Sequence, residues 1–158
     1  MKITDSPAAV EIISASDIKR EEAVNLGSYL DGIKGVDFSS SGINNYSISV
    51  RGFNSSFTSR LLTLVDGRIA NIPSLRVINY STVSAASDDI ESIEVVLGPS
   101  TALYGANAHS GVVNITTKSP GDSEGFNTSI TGSIWDNNNI NKLDTRWAKN
   151  ITKKLYKF

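Results

Sequence analysis

The feature that most constrains this chain is an unbroken alternation of residue types that begins after Gly125. From residue 126 to residue 134, one set of positions carries every apolar side chain and the intervening set carries only polar ones, which predicts a β-strand with two different faces. Residues 143–151 repeat the strand length after a polar turn, and residues 155–158 begin a third strand. Strands of roughly 9 to 11 residues with this alternation and interfacial aromatic residues are typical of an outer-membrane β-barrel wall. Three strands cannot close a barrel, so these residues predict only its opening part.

The first 120 residues have a different pattern, made of short strands and short helices. The strands are predicted at residues 10–13, 46–51, 61–65, 90–97 and 112–117. Residues 14–17 offer two good N-cap residue types, Ser and Asp, before a first short helix that starts near Ile18. Asp66-Gly67 predicts a tight hairpin turn. Together these elements predict the α+β class.

Three further local predictions concern a helix, a turn and a proline. Asn25 can cap a helix over residues 26–33, whose apolar residues fall on one face, with Gly35 as its left-handed C-terminal cap. Residues 39–45 predict a polar turn. Pro99 is predicted to occupy the first position of a one-turn helix that Gly105 ends.

Composition and charge exclude several functional classes. Fifteen Lys and Arg against sixteen Asp and Glu give no basic footprint for nucleic acid. The absence of Cys excludes disulfide frameworks and thiolate zinc sites, and a lone His excludes metal motifs that need two imidazoles. We therefore expect no cofactor and no enzymatic activity. The first seven residues lack the apolar run of a signal peptide, so we expect that the protein stays inside or that Met1 is not its biological start.

Several polar groups could suggest other sites, and each has a simpler interpretation. The glycines of residues 98–111 lack the Gly-Lys-Ser/Thr ending of a phosphate-binding loop. His109 is expected to be a plain loop residue. The acidic side chains after residue 87 are expected to form a solvated face rather than a metal site. They are Asp88, Asp89, Glu91 and Glu94.

Five segments, in order and at natural spacing, carry a resemblance to a known family. They are Val10–Ser14 with Asp17-Ile18, Leu26–Leu30 with Gly35-Val36, Ser49–Phe53, Leu62–Arg68, and the long run Ile90–Lys118 with Gly98-Pro99 at its centre. These segments resemble the plug domain of TonB-dependent outer-membrane receptors. The resemblance covers about residues 7–120, and the residues after 125 resemble the first strands of the family's barrel.

The resemblance implies a fold, a function and a set of partners. The expected fold is a small mixed-sheet plug (1–120), a linker (121–125) and the incomplete start of a transmembrane β-barrel (126–158). The implied function is energy-coupled uptake of a scarce nutrient, such as a ferric siderophore or cobalamin. The implied partners are TonB in the inner membrane, the remaining barrel of the same receptor and the outer membrane of a Gram-negative bacterium. No TonB-contacting segment is recognisable before residues 6–7.

The resemblance also implies site residues. Two segments, residues 53–59 and 69–80, match the apical loops that face the ligand. The candidate ligand-binding residues are Asn54, Ser56, Phe57, Arg76 and Tyr80. Arg51 matches an arginine that pairs with carboxylates of the barrel wall. The family's second such arginine is replaced by Leu97, which is either drift or a variant contact between plug and barrel.

A stand-alone soluble module that uses the plug fold to bind a small ligand or a protein is the alternative. The apolar side chains on the open strands of residues 126–158 argue against it, because exposed strand edges invite aggregation. We also expect residues 8–120 to form a marginally stable domain, and residues 126–158 to have no stable structure of their own in water.

Overall fold

The fold is seen in a computed structural model of the chain. The structure describes residues 9–21, 26–42, 45–50, 60–74, 78–80, 83, 86–105, 107–119, 121, 124–135, 138–151 and 154–157.

Strands dominate the described part of the chain. They are β1 (Ala9–Ser14), β2 (Val36–Gly42), β3 (Asn45–Val50), β4 (Leu61–Val65), β5 (Arg68–Ile69), β6 (Ile90–Leu97), β7 (Gly111–Thr117), β8 (Gly125–Trp135), β9 (Asn138–Ile151) and β10 (Lys154–Lys157). The α-helices are α1 (Ala15–Glu21) and α2 (Thr101–Tyr104), and two 3-10 helices span Leu26–Leu30 and Ser87–Asp89. No helix in these ranges is long and apolar enough to cross a bilayer.

A five-stranded mixed sheet forms the centre of the plug region. Its strand order is β1-β6-β7-β4-β5, with β4 parallel to β7 and every other pair antiparallel. The strands come from distant parts of the sequence, so the sheet joins residue 9 to residue 117 in one hydrogen-bonded unit. The strands predicted at 10–13, 61–65, 90–97 and 112–117 are confirmed, and so is the α+β class.

The first face of the sheet carries the larger core. Alternate residues of β6 and β7, among them Ile93, Val95 and Val113, point to this face. They are covered by Ile18 of α1, by the 3-10 helix at Leu26–Leu30 and by the β2–β3 ribbon. The fully buried members are Ile18, Tyr29, Leu30, Val50, Ile90, Ile93, Val95, Val113 and Ile115.

The second face carries a smaller core at one end. Val96 and Val112 form it together with Leu62, Leu64 and Ala108, and the partly buried Val10 and Tyr104 pack against this cluster. Toward the other end this face becomes polar, since Asn114 donates a hydrogen bond to Glu94 across the β6–β7 pair at 3.2 Å. The buried strands therefore show apolar residues on both faces at only one end.

Two sequence predictions in this region are wrong in detail. Residues 39–42 belong to β2, not to a turn, because β2 pairs with β3 up to Gly42 and Phe38 packs on Tyr46 with ring centroids 5.2 Å apart. The helix predicted over 26–33 is a 3-10 helix that ends at Leu30. It ends there because Gly32 has φ +79°, a left-handed conformation that cannot continue a helix.

The two glycine-containing turns agree more closely with the sequence predictions. Asp66 and Gly67 both have positive φ (48° and 76°), which confirms the tight hairpin turn between β4 and β5. Gly105, at φ +92°, ends α2 as the sequence predicts. The predicted start of α2 is wrong: the helix begins at Thr101, and Pro99 lies before its N-cap residue Ser100.

The C-terminal strands form a second, three-stranded antiparallel sheet with the order β10-β9-β8. β8 and β9 pair over their whole facing length, from Gly125 opposite Ala148 to Trp135 opposite Asn138. The predicted strand lengths are confirmed for β8, and β9 is longer than predicted because it extends the pairing toward the turn.

Candidate functional site

Most of the predicted ligand-binding residues lie outside the described ranges. Asn54, Ser56, Phe57 and Arg76 are among them, and so is Arg51, the predicted contact to the barrel wall. Their roles stay predictions.

Tyr80 is the predicted ligand residue that the structure does describe, and it lies in the core. Its side chain is 4% exposed and belongs to the cluster on the first face of the sheet. Its hydroxyl lies 3.3 Å from Oγ1 of Thr63, which is itself fully buried. Burial raises the pKa of Tyr80 to about 12, and the hydrogen bond to Thr63 offsets part of that rise. The location gives Tyr80 a packing role, and its contact with a ligand stays a prediction.

The edge of β4 near Tyr80 is closed by a side chain. β5 pairs with β4 only at Leu64 and Val65, which leaves the start of β4 without a neighbouring strand on that side. There, Oδ1 of Asn71 accepts a hydrogen bond from the Thr63 amide at 2.9 Å, and Nδ2 of Asn71 donates one to the Leu61 carbonyl at 3.2 Å. The Asn71 amide therefore continues the sheet where the strand stops.

The segment from Gly98 to Gly111 folds back over the second face of the sheet. The Gly98 amide donates to the Ser110 carbonyl, and the Ser100 amide donates to the Ala108 carbonyl, at 3.0 and 3.1 Å. The loop is tied to the start of β4 by Ser110, whose amide and hydroxyl both donate to the Arg60 carbonyl. These bonds place Ala108 over the smaller core, so the segment covers the apolar side chains of that core.

Leu97, which the resemblance places where an arginine is expected, is accommodated as a core residue. It is buried in the cluster on the first face, and its Cδ1 would lie 3.5 Å from a β-carbon on Gly35. A buried leucine needs no charged partner, so Leu97 leaves no buried charge to be satisfied by another part of the protein.

The β8–β9 hairpin has one apolar face, which is exposed. Phe126 lies directly opposite Trp147, and Ile130 lies opposite Leu143. These four side chains are 72%, 53%, 78% and 65% exposed. Large apolar side chains rarely gather on a water-facing surface without a partner, so this face has the chemistry of a surface made for an apolar environment.

The opposite face of the hairpin is polar and faces the five-stranded sheet. Arg146 and Asp144 are partly buried on it, and Ala148 is buried. Nε of Arg146 lies 2.8 Å from Oδ1 of Asp89, with the two side chains 12% and 9% exposed. The N–H is not aligned with that oxygen as in a hydrogen bond, so the contact is an ion pair.

This ion pair corrects one sequence interpretation. The sequence predicts Asp89 on a solvated face together with Asp88, Glu91 and Glu94, but its residue exposure is only 6%. Of the four, Glu91 is exposed and Asp88 is partly buried, while Glu94 accepts a hydrogen bond from Asn114. A sequence signal for the pair did exist, because Arg146 is a charged residue on the inward face of an alternating strand.

Within the described ranges, no three His, Asp or Glu side chains gather as metal ligands would.

The fold and these contacts define a class: an α+β domain on a mixed sheet, joined to antiparallel strands whose apolar face points outward. A family model described as the TonB-dependent receptor plug domain matches residues 2–112. The chain belongs to this family, as the sequence resemblance predicts.

Two curated relatives show the same relationship. The chain is 38% identical over 126 residues to the vitamin B12 transporter BtuB of Vibrio vulnificus, covering 78% of this chain and 20% of that protein. It is 36% identical over 143 residues to a ferric enterobactin receptor of Pseudomonas aeruginosa, covering 80% of this chain and 18% of that protein. The chain thus spans about a fifth of the length of these transport receptors.

Solved structures agree with the fold. The siderophore receptor PirA of Acinetobacter baumannii superposes with a TM-score of 0.63 at 26% identity, covering 85% of this chain and 21% of that one. The siderophore receptor PirA of Pseudomonas aeruginosa gives a TM-score of 0.54 at 30% identity, covering 81% and 21%.

Proposed function

We propose that this chain is the plug, with the first wall strands, of a TonB-dependent outer-membrane receptor that takes up a scarce nutrient. The nutrient class is a ferric siderophore or cobalamin, since the named relatives are receptors for enterobactin and a transporter for vitamin B12. The proposed boundaries are a plug over 1–120, a linker over 121–125 and barrel strands over 126–158. Those relatives are transport receptors, which supports a non-enzymatic role.

The observation that carries the proposal is the division of the β8–β9 hairpin into two faces. Phe126, Ile130, Leu143 and Trp147 are exposed on one face, while the face with Arg146 turns toward the plug sheet. A barrel wall needs this arrangement, with apolar side chains toward lipid and polar ones toward the lumen. A soluble module would leave that apolar face in water.

Coupling to TonB and a place in the Gram-negative outer membrane belong to the same proposal. The test is uptake by cells that express the whole receptor containing this chain. Labelled ferric siderophores and cobalamin are supplied to matched strains with and without TonB. We expect one ligand class to accumulate only when TonB is present. Accumulation that is indifferent to TonB, or a full-length protein that stays monodisperse without detergent, would favour the soluble module.

The candidate ligand residues are tested by binding to the same receptor. Phe57→Ala and Arg76→Ala are expected to weaken binding about tenfold or more, because aromatic and cationic side chains recognise iron chelates and their carboxylates by stacking and charge. The matched control is Arg20→Gln, which removes a cation that is 76% exposed on α1. Equal affinities for all three variants would remove these residues from the site.

A further inference from the structure

An ion pair joins the plug sheet to the β8–β9 hairpin. Arg146 extends from the polar face of β9 to Asp89 at the start of β6, with Nε and Oδ1 2.8 Å apart. Both side chains are nearly buried. A charge that is removed from water and then loses its partner is strongly unfavourable, so the two groups hold each other in place.

Asp89 is firmly positioned on the plug side. It ends the 3-10 turn Ser87–Asp89, and its amide donates to the Ala86 carbonyl at 2.9 Å. The Lys118 amide donates to the Asp89 carbonyl at 2.8 Å, and the Lys118 ammonium donates to the Asp88 carbonyl. The backbone that carries this carboxylate is therefore attached to the ends of both β6 and β7.

Arg146 is firmly positioned on the hairpin side. It lies inside β9, directly opposite Asn127 of β8, with regular pairing on either side of it. Its neighbours Thr145 and Trp147 point to the exposed face, so its side chain points toward the plug. The pair thus joins two rigid elements rather than two loops.

The position of the pair along β6 matters. Leu97, at the far end of the same strand, is apolar and buried in the core. Asp89 precedes Ile90 at the near end, roughly 25 Å away by the rise of an extended strand. Within the described residues, the ionic contact to the hairpin therefore lies at the start of β6, and the position of Leu97 at the end of β6 carries no charge.

We propose that the Asp89–Arg146 pair is the latch that positions the hairpin against the plug sheet, with Arg146 as a positioning residue. Opening the pair separates the two sheets without unfolding either, so that the plug can move relative to the wall strands. The consequence for transport rests on the function proposed above, whereas the docking of the two sheets does not.

The test measures the distance between the two sheets in the full chain in detergent micelles. The chain has no cysteine, so Glu91→Cys and Thr145→Cys, both at exposed positions, place one spin label on each sheet. We expect a narrow distance distribution in the parent and one roughly twofold broader when Arg146→Gln or Asp89→Asn removes one charge of this nearly buried pair. The double variant is expected to be no broader than either single variant, because both act on one contact.

Two controls make the result decisive. Arg20→Gln breaks an ion pair of similar length, 2.9 Å to Asp17, that is exposed and lies within α1, and it should leave the distribution unchanged. A second label pair within the five-stranded sheet, at Glu91→Cys and Arg68→Cys, should be unchanged in every variant. An unchanged inter-sheet distribution in Arg146→Gln would overturn the proposal. A change within the five-stranded sheet would also overturn it, since the pair would then support the sheet's fold rather than its docking. Neither outcome depends on whether the receptor transports a nutrient.

Discussion

A β-carbon on Gly111 would lie 2.5 Å from the carbonyl oxygen of Val96 on the neighbouring strand. Side-chain atoms of Leu61 and Val50 would each lie 3.4 Å away, so three elements close around this one position. The β6–β7 pair can form at this spacing only because residue 111 has no side chain.

Gly111→Ala should therefore destabilise the plug by about 1 to 3 kcal/mol, because the backbone of β6 has to move to admit the methyl group. The measurement is urea unfolding followed by far-UV circular dichroism. Gly132→Ala is the matched control, since a β-carbon there would meet only the Asn141 side chain at 3.6 Å, an ordinary contact. Equal midpoints for the two variants would show that β6 and β7 are less closely paired than this spacing indicates.

Alkaline pH should destabilise the fold through Tyr80. Its pKa is raised by burial to about 12 from an ordinary value of 10.0. Between these pH values the unfolded chain loses the phenolic proton and the folded chain keeps it, so the free energy of unfolding falls as pH rises. The loss is about 2 to 3 kcal/mol for a shift of that size.

The measurement compares unfolding free energies at pH 9 and near pH 12 for the parent and Tyr80→Phe. Tyr80→Phe removes the titrating group, so its stability should depend less on pH over this interval. Tyr104→Phe, at a partly buried position on the other face, serves as the control. The same pH dependence in the parent and in Tyr80→Phe would mean that water reaches the phenol.

Asp66 joins the hairpin turn to the end of β7. Its carboxylate accepts hydrogen bonds from the amide and the hydroxyl of Thr117, at 2.8 and 2.7 Å. Asp66→Ala should cost about 1 to 3 kcal/mol, because both bonds are lost and alanine is strained at φ 48°. Asp66→Asn, which keeps an acceptor oxygen and tolerates that φ, should lose less. Thermal unfolding measures the stability of both variants, and equal losses of stability would contradict this prediction.

The apolar face of the hairpin should respond to an apolar medium. The two tryptophans of the chain, Trp135 and Trp147, both lie in the C-terminal strands. In a Trp135→Phe background, the fluorescence of Trp147, which is 53% exposed, should shift to shorter wavelength when micelles are added. Thr145→Lys, which adds a charge to the same face, should reduce the shift. An emission maximum that stays at the same wavelength when micelles are added would count against lipid contact.

The sequence predicts the strands well where a two-residue period is present. β8 is predicted from alternation alone, and β6 from apolar residues with polar ones between them before Gly98-Pro99. β7 is predicted from a run of β-branched residues that ends before a proline and a glycine. Local pattern is enough there because each strand has an apolar face that favours an apolar environment, which is the core for β6 and β7.

Sequence reasoning fails where tertiary contacts decide the local conformation or the partner of a side chain. The helix expected over residues 26–33 stops at Leu30, since Gly32 turns the chain and the apolar residues reach the core without further helical turns. Tyr80 is an aromatic in a weakly patterned segment, and nothing local indicates that its hydroxyl meets Thr63, seventeen residues earlier. The Asp89–Arg146 pair joins residues that are distant in sequence, so no local rule specifies both partners.

The Asn71 side chain has a consequence for how copies of this protein behave toward one another. A free row of backbone amides and carbonyls at a sheet edge is a template on which another chain can pair, and long unprotected edges are common starting points for fibrils. The Asn71 side-chain amide occupies the Thr63 amide and the Leu61 carbonyl at this edge. A single side-chain amide has no row of backbone groups to which a further strand could be added. Two neighbouring copies that meet along β4 therefore find no template there.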